Sequence, residues 1–434
     1  MGDRVMLHSV PVRSVSSRSQ FIKRRYQLLG ALVVSALLPY LFRAWITPGT
    51  GDDATTLNAL IGNMGAVVLA LWARQSVEPY PGVRSSALNL PVATISHGAV
   101  IAGILLMRLP YDRLGVLAGY LLHILWLYVI YFLVQRGSRM AIAIVPFGRT
   151  SELPMVDTVD WLTLREPRLE EVGEANAIVA DFGADLPPKW EAFLADAALD
   201  GRIVYQVKQL SESLTGRVEI EHISENSFGS LMPARGYFHL KELADLMFSL
   251  LLLPFLLPLL GIVALAIRFE GPGTIFFRQR RIGHAGRRIE VLKFRTMKLI
   301  DRSAQIDERA AAMTTFGDDR ITRVGVFLRR TRFDELPQIW NVIKGEMSWI
   351  GPRPEAEVLS VWYTGEIPFY RYRHVVKPGI SGWAAVNQGH VANVEDVHMK
   401  LQYDFYYIKY FSPWLDLLIV FRTIKTMLTG FGSR

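Results

Sequence analysis

Apolar residues in this chain are bunched into stretches of roughly bilayer length, and that bunching limits the fold more than any other property. Segments at 27–46, 57–73, 90–109 and 114–134 each approach the about 20 residues a helix needs to cross a hydrocarbon core, the second only marginally. Residues 1–26 form a polar, basic tail (Arg4, Arg13, Arg18, Lys23, Arg24, Arg25), and no small-residue cleavage site follows the first apolar stretch. An uncleaved anchor is therefore expected rather than a secretion signal. Loop 47–56 carries Asp52 and Asp53 and no cation, whereas Arg136 and Arg139 follow the fourth segment. Cations at both flanks place both ends of a four-helix transmembrane bundle, residues 27–135, in the cytoplasm. A helical bundle inside a soluble protein is the competing reading.

A fifth apolar stretch, Leu246–Ile267, has 22 residues without a charge, about 33 Å as a helix and enough to span. Parity argues otherwise, because a fifth crossing would export the cation-rich C-terminal region. Pro254 and Pro258, spaced i, i+4, each remove a helical hydrogen bond on the same side and offer a bend instead. Between these apolar regions, residues 139–230 lose the membrane character. Ala141–Val145, Asp160–Leu164, Ala177–Val179 and Arg202–Val207 read as short strands, with a helix near Trp190–Ala198; a small α/β domain is expected. Pro146-Phe147-Gly148 ends the first strand without a GxGxxG fingerprint, so no working dinucleotide site is expected there.

The net charge of +8 suits nucleic acid, anionic lipid or phosphorylated substrates. No nucleic-acid motif is present, and the apolar bunching favours lipid. Zero Cys excludes disulfide and thiolate chemistry, and the nine His are scattered without HExxH spacing. The chemistry concentrates at residues 331–354. There the acidic pair Asp334-Glu335 precedes Pro337, and Leu336, Ile339, Trp340 and Ile343 recur at helical spacing before Gly345. A short amphipathic helix is expected, with Asp334 at its N-terminus as a cap or as an ionised nucleophile beside a phosphate site. Arginines crowd both sides, and Pro352-Arg353-Pro354 stiffens the chain around one guanidinium, which suits a fork-shaped phosphate clamp.

From about Tyr237 to Gly430 the sequence resembles the bacterial sugar transferase family, the monotopic polyprenyl-phosphate glycosyl-1-phosphate transferases that initiate exopolysaccharide or O-antigen synthesis. The resemblance rests on blocks in family order. They are Phe276-Phe277-Arg278-Gln279-Arg280-Arg281-Ile282-Gly283 with Gly286, Lys293-Phe294-Arg295-Thr296-Met297, and Asp319-Arg320-Ile321-Thr322. Asp334-Glu335-Leu336-Pro337-Gln338, Asn341-Val342 with Lys344-Gly345 and Met347-Ser348, Gly351-Pro352-Arg353-Pro354, and Lys377-Pro378-Gly379-Ile380-Ser381-Gly382-Trp383 complete the set. It implies an α+β membrane protein in three parts: the four-helix bundle, a degenerate Rossmann-like α/β domain at 139–230, and a monotopic catalytic domain at 235–434. In the last, 246–267 would be a re-entrant helix broken at Pro254 and Pro258.

The reaction so implied moves a sugar-1-phosphate from a nucleoside-diphosphate sugar, expected to be a UDP-sugar, to undecaprenyl phosphate and releases UMP. Mg²⁺ is the implied cofactor. Asp334 would be the nucleophile and would form an aspartyl-phosphosugar; Glu335 would help hold Mg²⁺ with it, or would hold Lys293 or an arginine. Arg281, Lys293, Arg295 and Arg353 would contact phosphates. Asp404, in Tyr403-Asp404-Phe405-Tyr406-Tyr407, would support the site or merely cap a surface helix. The implied place is the bacterial inner membrane, multi-pass, with the catalytic domain facing the cytoplasm among membrane lipids; stacked membrane helices would suit a homodimer.

Departures from the family pattern fall at Ala385 and Asn387-Gln388-Gly389-His390, which bear on sugar or base contacts, and at Ile289. Trp414–Gly430 would lie against the bilayer or pack on the catalytic core. Competing functions are a non-catalytic membrane scaffold for polysaccharide assembly, a transporter of five or six spans, and a simple glycosyltransferase that releases UDP.

Overall fold

The computed structural model describes residues 24–47, 54–77, 86–135, 140–157, 159–173, 175, 177–219, 233, 235–298, 320–388 and 394–429. The basic tail before residue 24, Asp52, Asp53, Arg136, Arg139, Asp319, Gly389 and His390 lie outside the described residues. The chain divides into two compact units, Met1–Ile144 with Val156–Ile178, and Val145–Met155 with Val179–Arg434. Among the described residues five helices are long and apolar enough to cross a membrane, which fits a membrane protein.

Four of these helices belong to the first unit and pack on one another. Helix α1 comprises Arg24–Leu32, a π segment Val33–Leu37, and Leu38–Ile46. It is followed by α2 (Ala54–Val77), α3 (Ser86–Leu106) and α4 (Arg113–Ile130). The marginal second segment is thus a full 24-residue helix. Without water in the hydrocarbon, polar side chains inside such a bundle turn to neighbouring backbone. Trp126 donates to the Gln27 carbonyl at 3.1 Å, Asn63 to Gly115 at 3.1 Å and Asn89 to Leu127 at 3.2 Å. Strands β1 (Met140–Ile144), β2 (Val159–Thr163), β3 (Ala177–Ala180) and β4 (Ile203–Gln206) form one sheet of order β2-β1-β3-β4. Each begins and ends within a residue of the apolar run that announced it. Helix α5 (Pro188–Leu199) lies between β3 and β4 in the chain, and α6 (Val207–Thr215) follows β4 directly.

In the second unit α7 runs from Arg235 to Glu270. Its 36 residues correspond to about 54 Å. The expected break at Pro254 and Pro258 is not an interruption: both prolines lie inside one continuous helix, whose two halves are each held by the same domain. On the N-terminal half, Lys241 pairs with Asp416 at 2.7 Å, Tyr237 donates to Asp416 at 2.6 Å, and Trp349 donates to Ser249 at 2.9 Å. On the C-terminal half, Val263 and Ile267 pack with Phe294 and Leu328. The opposite face leaves Leu240, Leu243, Met247, Leu251, Phe255, Ile262, Leu265 and Phe269 exposed along the whole helix.

An antiparallel hairpin follows, β5 (Phe276–Ile282) with β6 (Arg288–Phe294), in register Phe277 to Lys293. Helix α8 (Arg323–Thr331) is capped by Thr322, whose hydroxyl accepts from the Gly325 amide at 3.0 Å. A 3₁₀ turn, Phe333–Gln338, leads into the short α9 (Ile339–Ile343), which Gly345 (φ 74°) stops. Strands β7 (Ser348–Ile350) and β8 (Gly379–Ser381) pair in parallel and flank α10 (Glu357–Glu366) in the chain. Among the described residues three more helices follow: α11 (Trp383–Asn387), α12 (Val394–Lys409) and α13 (Pro413–Thr429). Leu415, Leu418 and Ile419 of α13 are buried, and Thr423 meets Ser381 at 2.6 Å. Of the two placements open for this segment, its inner face takes the catalytic core.

Candidate active site

The acidic pair sits in the 3₁₀ turn, not at the start of an α-helix as its spacing predicts. The 3₁₀ segment runs through Pro337 to Gln338, and α-helical geometry begins only at Ile339. The N-cap positions of the two segments fall to Arg332 and Gln338, not to Asp334. Arg332 precedes the turn in left-handed geometry (φ 62°) and leads the chain into it. Ile339 and Val342 point inward, but Trp340 is exposed, because helical periodicity does not distinguish a core-facing apolar residue from an outward one. Asn341 ties α9 to β6: it accepts from the Leu292 amide at 3.1 Å and donates to the Glu290 carbonyl at 2.7 Å. That strap brings Lys293 of β6 against the acidic pair.

Glu335 is buried and gathers the cations. Lys293 Nζ lies 3.2 Å from Oε1, Arg353 Nη1 donates to Oε2 at 3.1 Å, and Arg353 Nη2 closes the fork on Oε1. Arg332 Nη1 stands 3.9 Å away. Burial pushes the Glu335 carboxyl up, but Arg353 and Lys293 pull harder and hold it well below the usual carboxylate range. Burial in turn depresses the Lys293 ammonium to about 8, with Glu335 resisting. Asp334 behaves oppositely. Burial first and the neighbouring Glu335 charge second raise its carboxyl, against Lys293, Arg353 and Arg332. Its Oδ1 is buried with no hydrogen-bond partner among the described residues. Two adjacent carboxylates therefore differ in kind: one is saturated with cations, the other has an oxygen to spare.

The loop bearing Arg353 is fastened at each carbonyl. Pro352 O accepts from the Gly379 amide at 3.1 Å and Arg353 O from Arg373 Nη2 at 2.9 Å. Pro354 O accepts from Arg281, and Glu355 O from the Ile282 amide at 3.2 Å. Gly351 and Gly379 permit this because a Cβ on either would run into the other's backbone. Behind the loop, Arg373 is itself buried, donating to Tyr370 at 2.8 Å and pairing with Asp404 at 2.7 Å. Glu355 pairs with Lys400 and lies 3.9 Å from Arg373. Burial pushes the Glu355 carboxyl up, yet Lys400 and Arg373 bring it down to about 2.

The predicted residues thus separate by position. Lys293, Glu335 and Arg353 meet, with Asp334 beside them. Arg281 supports the Arg353 loop through the Pro354 carbonyl. Arg295 stands apart: it donates to the carbonyls of Ile267 (3.4 Å), Gly271 (3.2 Å) and Pro272 (2.7 Å) at the end of α7. Asp404 is no surface cap; it lies mid-helix in α12 and is buried against Arg373. Arg332 is one of the arginines that crowd the pair in the sequence; Glu355, Arg373 and Lys400 were not anticipated, since nothing local to them announces partners distant in the chain. For metal, Glu335 offers no free oxygen. Among the described residues no three His, Asp or Glu side chains are grouped to hold an ion. Asp334 is the remaining carboxylate, which fits Mg²⁺ only in the mode where substrate phosphates supply most ligands.

The profile of a family described as bacterial sugar transferase matches residues 236–430. The UDP-N-acetylgalactosamine-undecaprenyl-phosphate N-acetylgalactosaminephosphotransferase of Aeromonas hydrophila is 42% identical over 383 residues, 88% of this chain and 89% of that protein. The UDP-glucose:undecaprenyl-phosphate glucose-1-phosphate transferase of Escherichia coli (strain K12) is 41% identical over 187 residues, 43% of this chain and 39% of its own length. That of Xanthomonas campestris pv. campestris is 42% identical over 190 residues, 43% of this chain and 38% of its own length.

Proposed function

We propose a specific reaction for this chain, which belongs to the bacterial sugar transferase family and is an undecaprenyl-phosphate sugar phosphotransferase: Asp334 attacks a UDP-sugar and passes a sugar-1-phosphate to the lipid. The observation that carries this reading is the contrast between Asp334 and Glu335. A buried carboxylate with an unpartnered oxygen and a raised pKa is a more basic nucleophile than one neutralised by three cations.

Asp334 Oδ1 would form a bond to the sugar-bearing β-phosphorus as the bridging P–O bond breaks, and UMP would leave with the electron pair. An oxygen of undecaprenyl phosphate would then attack the same phosphorus and return the free carboxylate. Lys293, Arg353 and Arg332 lie where they can neutralise the diphosphate and the charge that grows on its oxygens. Glu335 keeps those cations in place in the resting site. Mg²⁺, when bound, supplies further neutralisation and would be held by the diphosphate with Asp334 as the protein donor. Every group named comes from one chain.

The long-range likeness to the Aeromonas protein makes UDP-N-acetylgalactosamine the first donor to offer, with UDP-glucose as comparator. We place the catalytic domain at the cytoplasmic face of the inner membrane, with α7 entering and leaving through that face. In support, the polar stripe Tyr237, Lys241 and Ser249 on one half, and the Val263 and Ile267 contacts on the other, engage the same domain. The outer stripe is apolar throughout, as a lipid-facing surface requires. The test is product and adduct identity. UDP-sugar labelled with ³²P at the β-position should release UMP and leave label on the protein, and Asp334→Asn should abolish both. Label persisting in that variant removes Asp334 from the role; release of UDP in place of UMP rejects phosphoryl transfer.

A further inference from the structure

We propose that segment 179–219 of the α/β region is a brace for the active site, with Glu212 acting as a positioning residue through α12. The proposal rests on the reaction given above. It begins where an α/β sheet ordinarily holds a nucleotide phosphate, on loop amides beyond the strand ends. Here those amides are already taken. Asp181, directly after β3, accepts from the Arg149 amide at 2.9 Å and from the Gly183 amide at 3.0 Å. Gly148 (φ 65°) makes room, since a Cβ there would strike the Asp181 side chain. A fixed carboxylate in this position repels a phosphate and turns the crevice into structure.

The same carboxylate reaches the next element. Gln206, the residue that starts α6, donates to Asp181 Oδ1 at 3.4 Å. Helix α6 then drives into the catalytic domain. Glu212, buried, accepts from Lys409 Nζ at 2.6 Å and from the Tyr410 hydroxyl at 2.9 Å. Gly216 (φ 68°) ends the helix, its carbonyl accepting from the Trp383 indole at 2.8 Å, and a Cβ there would press on that ring. Trp383 in turn stacks on Tyr406 of α12 with centroids 5.5 Å apart. The Val218 amide donates to Gln402 O of α12 at 3.1 Å.

Helix α12 joins this contact to the site. At about 100° per residue, Lys409 lies half a revolution from Lys400. Lys400 and Asp404, four apart on the other side, hold Glu355 and Arg373. Arg373 holds the Arg353 carbonyl, and Arg353 holds Glu335. Because a helix moves as a body, fixing the α6 side fixes the side that sets the Arg353 fork.

The test uses full-length protein in detergent, with UDP-N-acetylgalactosamine and undecaprenyl phosphate as substrates and UMP release as readout. Glu212→Gln keeps the shape and removes the charge, and it should lower kcat at least about tenfold, since small misplacements of a positioned group carry penalties of that size or larger. The decisive measurement is the cycle with Asp404→Asn. Glu212 and Asp404 have separate partners, so independent effects would multiply. The brace requires that Glu212→Gln add little to Asp404→Asn. Unchanged turnover in Glu212→Gln, or losses that multiply in the double variant, overturns it. If Glu212→Gln does not fold, Lys409→Met removes the other partner and is judged by the same criteria. Hydrogen exchange along 394–409 supplies a readout free of chemistry: faster exchange in the variant is expected, and unchanged exchange overturns the proposal. Wild-type protein that releases no UMP counts against the reaction alone, because the exchange result still decides the brace.

Discussion

Glu355→Gln isolates one buried charge behind the proposed site, and the structure sets the size of its effect. Glu355 pairs with Lys400 and lies 3.9 Å from Arg373, with its side chain 18% exposed. Its carboxyl stands at about 2 in the folded protein, against about 4.3 in an unfolded chain. A folded value below the unfolded one stabilises the fold fully above about 4.3, and the stabilisation is lost as pH falls toward about 2. That difference amounts to about 3 kcal/mol at pH 7 and about half as much at pH 3. It agrees with the about 3–5 kcal/mol lost when one partner of a buried pair is removed. At about 2–4 °C per kcal/mol for a domain of this size, the variant should melt about 6–12 °C below wild type at pH 7. Thermal unfolding of purified protein followed by circular dichroism, stepped from pH 7 to pH 3, reads both quantities. A gap under about 2 °C at pH 7, or a gap that does not narrow at pH 3, would refute the reasoning.

Three further outcomes are expected. Lys293, depressed to about 8, loses its charge as pH rises, so UMP release should decline through that pH; Lys293→Arg should carry the decline upward, and an unmoved limb would assign it elsewhere. Arg295→Ala removes donors from the Ile267, Gly271 and Pro272 carbonyls and should cost about 1–2 kcal/mol of stability while the KM for UDP-sugar stays put. A tenfold rise in KM, about 1.4 kcal/mol, would instead return Arg295 to the phosphates. Because the chain has no cysteine, His239→Cys and Arg268→Cys can each be labelled with an impermeant maleimide in oriented vesicles. Equal accessibility at both ends of α7 is expected, and labelling from opposite sides would make α7 a crossing helix.

Much of this architecture was legible because bilayer length and β-branched runs leave strong marks. The apolar segments and the strands of the α/β sheet could be placed from composition and spacing alone. The family resemblance, not closeness in the chain, pointed to Lys293, Glu335 and Arg353 as one chemical neighbourhood. What escaped was orientation. Arg295 and Arg353 look alike as basic residues in motifs, yet one spends its donors on helix-end carbonyls and the other on a carboxylate. The tightened turn around Asp334 is hidden as well, because apolar residues at helical spacing do not separate a 3₁₀ turn from the start of an α-helix. Trp340 faces outward although it falls on the apolar stripe. Glu355, Arg373 and Lys400 stay silent in the sequence because their pairings join residues brought close only by the fold.

The fastening of Pro352, Arg353 and Pro354 by their carbonyls has a thermodynamic corollary. A flexible cationic arm surrenders about 1.5–2 kcal/mol of rotamer freedom when it settles on an anion. Here the arm's anchor was immobilised when the chain folded, so an arriving dianion meets a guanidinium whose reach and heading are already set. Softening of that anchor by a distant substitution should therefore register as a slower, less discriminating capture of phosphate, even where every group that touches the ligand is unaltered.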